Sequence, residues 1–137
     1  KLVSVNLVPE KNVTSSSAVV KMLSPLCIRL HKAENNSDKY ISVANPDFTE
    51  IAKQVIKEQL VESNFDEKLI SNFEIKPLNE KKTVVYHYKN YIECSLGSFS
   101  INADKSVINY LLKSGIGSRK SAGFGFAELL SEGGEPN

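Results

Sequence analysis

Residues 115–125 decide how the end of the chain folds, and they read Gly115-Ile116-Gly117-Ser118-Arg119-Lys120-Ser121-Ala122-Gly123-Phe124-Gly125. Four of the seven glycines of the chain lie in this stretch, called the glycine loop below. Glycine adopts positive φ without strain and lets another surface approach the backbone. Arginine, lysine, serine and backbone N–H groups are the donors that bind phosphate oxygens. The loop therefore predicts a contact with a phosphodiester chain, and a helix C-cap leading into a strand is the alternative.

Two familiar nucleotide-binding loops are excluded by the spacing. A dinucleotide fingerprint that starts at Gly115 needs a glycine at position 120, where the chain has Lys120. A P-loop needs a glycine directly before its Lys-Ser pair, and Arg119 stands there instead. Both of those loops also join a strand to a following helix, whereas this one follows a predicted helix and leads into a predicted strand.

The composition predicts one globular domain. The chain has 137 residues, of which 41% are hydrophobic and 24% are charged, enough for a hydrophobic core. No apolar run approaches the ~18 residues of a membrane span, and no signal peptide is visible. We therefore expect a cytoplasmic protein without membrane contact. Cys27 and Cys94 are expected to be buried thiols, and because no Cys/His cluster has metal-ligand spacing, neither a metal nor a cofactor is expected.

Positive charge gathers in the segment that ends in the glycine loop, although the net charge of the whole chain is only +1. Residues 76–120 hold eight basic side chains against three acidic ones. The basic ones are Lys76, Lys81, Lys82, Lys89, Lys105, Lys113, Arg119 and Lys120. This distribution is expected of a phosphate-binding face, and a solvated lysine face gives the same count.

Apolar periodicity predicts alternating strands and helices. The predicted strands cover residues 1–8, 18–32 with a break at Pro25, 69–78, 83–88, 91–99 and a last one around 124–129. A helix over 45–64 is opened by Asn45 as its cap, and a second helix over 102–114 is closed by Gly115. Residues 33–39 are predicted as a turn, and Lys89-Asn90 as a tight hairpin joint. The order indicates an α+β, ferredoxin-like domain over residues 1–131, followed by a disordered tail over 132–137. Its antiparallel sheet would carry two helices on one face, with an extra N-terminal strand.

The combination of motifs resembles the C-terminal half of the CRISPR-associated precursor-RNA processing endoribonucleases of the RAMP superfamily. The resemblance rests on Ser24-Pro25 after an apolar strand, on a hairpin before the last helix, and on the glycine loop. It covers roughly residues 1–131. Such enzymes carry two ferredoxin-like domains in tandem, so this chain is expected to be the C-terminal domain of a longer protein.

The resemblance also implies an activity in antiviral defence. Such enzymes bind the repeat of CRISPR precursor RNA and cut it once without a metal. The 2′-hydroxyl attacks the adjacent phosphate and leaves a 2′,3′-cyclic phosphate on the product. Because the general acid/base histidine of many members lies in their N-terminal domain, this chain would clamp RNA and be inactive alone. The implied partners are repeat RNA, the N-terminal domain, a second copy of the chain, or subunits of an interference complex.

Cleavage of this kind needs a base, an acid and donors for the charged phosphorane. The candidate RNA-binding residues are Lys113, Gly115, Gly117, Ser118, Arg119, Lys120, Ser121, Gly123, Gly125 and His87. His31 and His87 are the histidines of the chain and hence weak catalytic candidates. Tyr86, Tyr88 and Tyr91 are candidates for base stacking, or are plain strand formers.

Two other functions stay open at this point. The chain is alternatively a RAMP subunit that holds RNA without cutting it, and the sequence does not separate this from the processing enzyme. A third interpretation is a ferredoxin-like module that binds a small molecule or a protein partner. That interpretation predicts no basic clustering near the glycine loop, and the clustering counts against it.

Overall fold

The computed structural model describes residues 13–32, 37–87 and 90–133. The strands are β1 (Ser17–Met22), β2 (Ile28–Lys32), β3 (Ser37–Ile41), β4 (Glu74–His87), β5 (Asn90–Asn102) and β6 (Ala127–Glu132). The helices are α1 (Phe48–Glu62), α2 (Glu67–Ser71) and α3 (Lys105–Ser114), with a 3₁₀ turn at Lys120–Ala122. The predicted strand over residues 1–8 lies outside the described residues.

The main sheet has four strands in the order β4-β5-β1-β6, and every neighbouring pair is antiparallel. Without the β2–β3 hairpin and α2, the chain order is β1, α1, β4, β5, α3, β6. This is the split βαβ pattern of a ferredoxin-like domain. The α+β, ferredoxin-like prediction is therefore confirmed.

One face of the sheet carries the helices and the main core. Along β1 the buried residues alternate with less buried ones, as expected of a strand with one covered face. Val20 and Phe99 from the sheet share this core with Ile56 of α1 and Leu111 of α3. The ring centres of Phe48 and Phe99 lie 6.1 Å apart, and this contact joins the start of α1 to β5. The expected packing of two long helices on one face is thus confirmed.

Two predicted elements are wrong in part. Residues 33–39 were expected to form a turn, but Ser37–Ile41 is a strand that pairs with Ile28–Lys32 as an antiparallel hairpin. Residues 69–78 were expected to form a strand, but their first part belongs to α2. The side chain of Asp66 accepts a hydrogen bond from the Lys68 N–H at 3.1 Å and begins this short helix.

Other boundaries also differ from the predicted ones, and α3 begins at Lys105 rather than at Asn102, which ends β5. Asp47, not Asn45, is the residue before α1, and the Asn45 side chain accepts a hydrogen bond from the Asp47 N–H at 2.8 Å. β4 runs through both predicted strands, over Glu74–His87, with a register shift between Pro77 and Asn79. β6 extends to Glu132, the expected first residue of the tail, and residues 134–137 lie outside the described ranges.

In the part of the chain that the structure describes, no helix has the length and apolar character needed to cross a membrane.

Candidate nucleic-acid interface

The glycine loop connects α3 to β6 and begins as a helix C-cap. Gly115 has φ 97° and its N–H donates to the Leu111 carbonyl, as expected of a glycine after the last helical residue. Arg119 also has positive φ, at 57°, and precedes the 3₁₀ turn. The predicted C-cap is confirmed, and it accounts for only the first residue of the loop.

Gln59 on α1 holds the first turn of the loop. Its Nε2 donates to the Gly115 carbonyl at 3.0 Å, and its Oε1 accepts from the Gly117 N–H at 2.9 Å. The side chain is only 8% exposed, although glutamine is mostly exposed in folded proteins. One amide thus satisfies a backbone donor and a backbone acceptor that burial would otherwise leave unpaired. Gln59 fixes where the loop sits on α1.

Ser24 and Pro25 support the other end of the loop. The Ser24 Oγ accepts a hydrogen bond from the Phe126 N–H at 3.0 Å. The Pro25 carbonyl accepts one from the Gly125 N–H at 2.8 Å. The Ser-Pro dipeptide therefore has a structural role, because it anchors the point at which the loop enters β6.

The middle of the loop rests on the segment between β1 and β2. The Ser118 N–H donates to the Cys27 carbonyl at 2.8 Å. The Ser118 Oγ accepts from the Arg29 N–H at 3.1 Å. Because the N–H groups of Gly117, Ser118 and Gly125 all donate within the protein, they are not available to a phosphate. The surface side chains of the loop, rather than these three N–H groups, can therefore contact a ligand.

The glycines of the loop have different structural requirements. A Cβ at Gly117 would lie 2.7 Å from the Cys27 carbonyl oxygen, and one at Gly125 would overlap the Ile116 carbonyl. A Cβ at Gly123 would meet nothing within 4 Å. Gly117 and Gly125 therefore allow the loop to pack closely, whereas Gly123 is constrained only by its φ of 96°.

Arg119 is directed towards the β2–β3 hairpin. Its Nε donates to the Tyr40 hydroxyl at 2.9 Å, and the guanidinium carbon lies 5.5 Å from the centre of the Tyr40 ring. A cation held against an aromatic ring keeps a preferred orientation while it remains charged. Arg119 is half-buried, so this contact presents a positive charge at a defined place on the surface.

Lys120 is directed towards α3 instead. Its Cγ and Cδ lie 3.2 Å from the point where a Cβ would stand if Gly115 were replaced by alanine. Burial raises the pKa of Tyr110, but hydrogen bonds from Ser63 and Gln59 and the charge of Lys120 outweigh it and leave that pKa below its ordinary value. The two adjacent cations of the loop therefore diverge, and each has a tyrosine hydroxyl beside it.

A groove of about 650 Å³ separates α1 from the glycine loop. The wall on α1 carries Glu50, Glu58 and Glu62, and the facing wall carries Arg29, Arg119 and Lys120. Phosphate would be repelled by the glutamates and attracted by the loop. The groove thus holds charges of both signs, and its positive side is the one formed by Arg29 and the loop.

The structure brings together some of the predicted RNA-binding residues and leaves others apart. Ser118, Arg119, Lys120, Ser121 and Gly123 lie at the surface of the loop, whereas Gly115, Gly117 and Gly125 are buried within it. Lys113 is exposed in the last turn of α3. His31 pairs with Asp38 in β2–β3, and His87 pairs with Asn90 at the end of β4. The side chains of both histidines lie outside the described part of the structure.

An exposed aromatic pair lies near the end of the β4–β5 hairpin. The rings of Tyr86 and Tyr91 are 4.9 Å apart, and these residues are 60% and 74% exposed. They occupy paired positions on the two strands. Most tyrosines in folded proteins are more buried, so this pair is a second candidate contact surface. Residue 88 lies outside the described residues.

Three functional candidates were missed by sequence reasoning. Gln59, Tyr40 and Tyr110 hold the loop or its cations through the contacts above. For Gln59 a signal existed, because it falls on the same helical face as Ala52 and Ile56, where an apolar residue is expected. The two tyrosines carry no such signal, since their partners are distant in sequence.

The strand order and the two helices on one face define a ferredoxin-like domain, in which the glycine loop joins the last helix to the last strand. The sequence profile described as CRISPR associated protein Cas6, C-terminal, matches residues 8–129. The chain therefore belongs to this family. No curated protein matches it.

Solved structures share the fold. One, described as an RAMP protein binding different RNA substrates, has a TM-score of 0.76 and 23% identity over 90% of this chain and 52% of its own. A Cas6-related protein from Pyrococcus furiosus has a TM-score of 0.74 and 20% identity over 91% of this chain and 52% of its own. Thermus thermophilus Cas6 has a TM-score of 0.54 and 15% identity over 87% of this chain and 55% of its own. The chain thus spans about half the length of these proteins.

Proposed function

We propose that this domain binds the repeat RNA of CRISPR precursor transcripts and contributes to their endonucleolytic processing into guide RNA. The observation that carries the proposal is the glycine loop. It is fixed to α1 by Gln59 and presents Arg119 and Lys120 on diverging sides. A preorganised pair of cations binds a phosphate backbone without first having to be ordered.

The chemistry proposed for the whole protein is a metal-independent attack of the 2′-hydroxyl on the adjacent phosphate, which leaves a 2′,3′-cyclic phosphate. Because the related structures are about twice as long as this chain, we propose a second ferredoxin-like domain as its partner, with the general acid/base on that domain. In this arrangement Arg119 and Lys120 hold the RNA and stabilise negative charge at the phosphate.

The loop cations are tested by removing both. We expect Arg119→Ala/Lys120→Ala to weaken the binding of labelled repeat RNA and to flatten its salt dependence, by about one unit of log–log slope for each phosphate that the variant no longer neutralises. Fluorescence anisotropy over a range of salt concentrations measures both quantities. The matched control is Lys57→Ala/Lys68→Ala, which removes the same charge from α1 and α2. Equal slopes for the two double variants would contradict the proposal.

The tyrosine pair at the hairpin is proposed to stack on unpaired bases. A base stacked on an aromatic side chain contributes about 1–3 kcal/mol. We therefore expect Tyr91→Ala to lower RNA affinity at least fivefold, which corresponds to the lower end of that range. Tyr91→Phe keeps the ring and should bind nearly as well as the natural chain. Loss of binding in both variants, or in neither, would count against stacking.

The isolated chain is expected to bind RNA weakly and not to cleave it. No group of three or more His, Cys, Asp or Glu side chains among the described residues could hold a metal ion, and general acid–base help worth about 10²–10⁴-fold would be missing. The test is incubation of residues 1–137 with labelled repeat RNA, with and without a chelator. Site-specific, chelator-resistant cleavage that disappears in His31→Ala or His87→Ala would place the active site in this domain.

A further inference from the structure

Two cysteines face each other beneath the glycine loop. Leu26 and Ser95 exchange both backbone hydrogen bonds, at 2.8 and 3.0 Å, and form an antiparallel bridge. The register places the adjacent residues, Cys27 and Cys94, opposite each other as a non-hydrogen-bonded pair. In such pairs the Cα atoms lie about 4.5 Å apart, within the range of about 4.4–6.8 Å that a disulfide spans. Both cysteines are free thiols in this structure.

The two sulfurs lie in a small core of their own. Cys27 and Cys94 pack with Ile92 and with Phe124 of the glycine loop, and neither thiol is exposed. The carbonyl of Cys27 also accepts the hydrogen bond from Ser118. The pair therefore lies where the segment between β1 and β2, which supports the glycine loop, contacts β5.

The environments of the two thiols differ. A hydrogen bond from Cys94 lowers the pKa of Cys27, and the charges of Arg119 and Arg29 act in the same direction against the effect of burial. The same hydrogen bond and burial raise the pKa of Cys94. Of the two thiols, Cys27 therefore loses its proton more readily than Cys94. The more readily ionised thiol is the better nucleophile, and the thiol opposite it is placed to resolve a sulfenic acid.

We propose that Cys27 and Cys94 form a peroxide-sensitive dithiol that closes reversibly to a disulfide, with Cys27 as the attacking residue. The Cys27 thiolate attacks one oxygen of hydrogen peroxide, the O–O bond breaks, and the departing hydroxide takes up a proton to become water. Cys27 is then a sulfenic acid. The Cys94 sulfur attacks the Cys27 sulfur, the S–O bond breaks, and a second water leaves with the Cys94 proton. Two thiols are oxidised and one peroxide is reduced to two waters.

The position of the pair gives the bridge a structural consequence. Cys27 lies in the segment between β1 and β2, on which the glycine loop rests. A disulfide would join this segment covalently to β5. Because both sulfurs are covered, the reaction requires a local opening of the small core around Phe124. Oxidation is therefore expected to be slow compared with that of an exposed thiol.

The proposal is tested on residues 1–137 by mass spectrometry. The folded chain is treated with hydrogen peroxide, the peroxide is removed with catalase, and remaining thiols are alkylated under denaturing conditions. We expect a chain that has lost two hydrogen atoms, takes up no alkyl group, yields one peptide linking Cys27 to Cys94, and regains both thiols with dithiothreitol. Two alkylated thiols after prolonged treatment, or a disulfide formed only between two chains, would overturn the proposal.

Single variants test which cysteine attacks. Cys94→Ser should accumulate a sulfenic acid on Cys27 that dimedone traps, whereas Cys27→Ser should leave Cys94 unmodified under the same conditions. Reaction of Cys94 in Cys27→Ser, without reaction of Cys27 in Cys94→Ser, would refute the assignment. If a variant does not fold, the rates of alkylation of the two thiols in the natural chain decide it, since Cys27 should react first.

Discussion

Gly125→Ala is expected to destabilise the domain by about 3 kcal/mol or more, at the upper end of single-residue effects. Gly125 has φ 86°, and a Cβ there would overlap the Ile116 carbonyl, which is backbone and cannot rotate away. The Ile116 N–H donates to the Gly125 carbonyl at 2.8 Å, so a displacement would also break the hydrogen bond that closes the loop. Chemical denaturation measures the decrease in the free energy of unfolding.

Gly123→Ala is the matched control for this prediction. Gly123 has a similar φ of 96°, but an added Cβ would meet nothing within 4 Å. Only the backbone strain remains, about 1–2 kcal/mol. Equal losses of stability in the two variants would mean that the close packing of Gly125 is not what holds the loop. If Gly123→Ala binds repeat RNA as the natural chain does, the conformation at Gly123 is not needed for binding.

Gln59→Leu is expected to destabilise the domain by about 2–4 kcal/mol, because it leaves the Gly115 carbonyl and the Gly117 N–H buried without their partner. Leucine suits the apolar face of α1, so the helix itself should persist. We therefore expect a lower midpoint in urea with little change in far-ultraviolet circular dichroism. The looser loop should also bind repeat RNA more weakly under conditions in which the variant is folded.

Gln54→Leu makes the same chemical change five residues earlier on α1. Gln54 is exposed in the groove, so its replacement should change stability by no more than about 0.5 kcal/mol. A similar effect of the two substitutions would contradict the role assigned to the Gln59 amide. A stable Gln59→Leu variant with normal RNA affinity would show that the loop keeps its position by backbone contacts alone.

Local patterns predicted much of the fold. The amphipathic stripe of α1, the C-cap at Gly115 and the long hairpin before α3 follow from periodicity and turn chemistry. The prediction for residues 69–71 was wrong because an apolar Leu-Ile pair fits both a strand and a short helix, and the cap at Asp66 decides between them. β3 was missed because the polar run over 33–39 is typical of a turn, while the strand is stabilised by pairing with β2.

The candidate site was predictable only in its local part. The glycines and the two cations of the loop stand out in the sequence, and Arg119 and Lys120 do lie at its surface. The contacts that orient them join residues far apart in the chain, as Arg119 with Tyr40 and Gln59 with Gly117. No local pattern carries such pairs. For the same reason the sequence did not reveal that the N–H groups of Gly117, Ser118 and Gly125 donate within the protein.

The most direct test of the central proposal is an NMR titration of isotope-labelled chain with repeat RNA. The Arg119 Nε–H, which donates to Tyr40 at 2.9 Å, is a reporter inside the proposed contact surface. We predict that its resonance and the amide resonances of residues 118–122 shift on addition of RNA, with small changes on the exposed face of α1. Shifts confined to other surfaces, with the Arg119 and loop resonances unmoved at saturating RNA, would contradict the account.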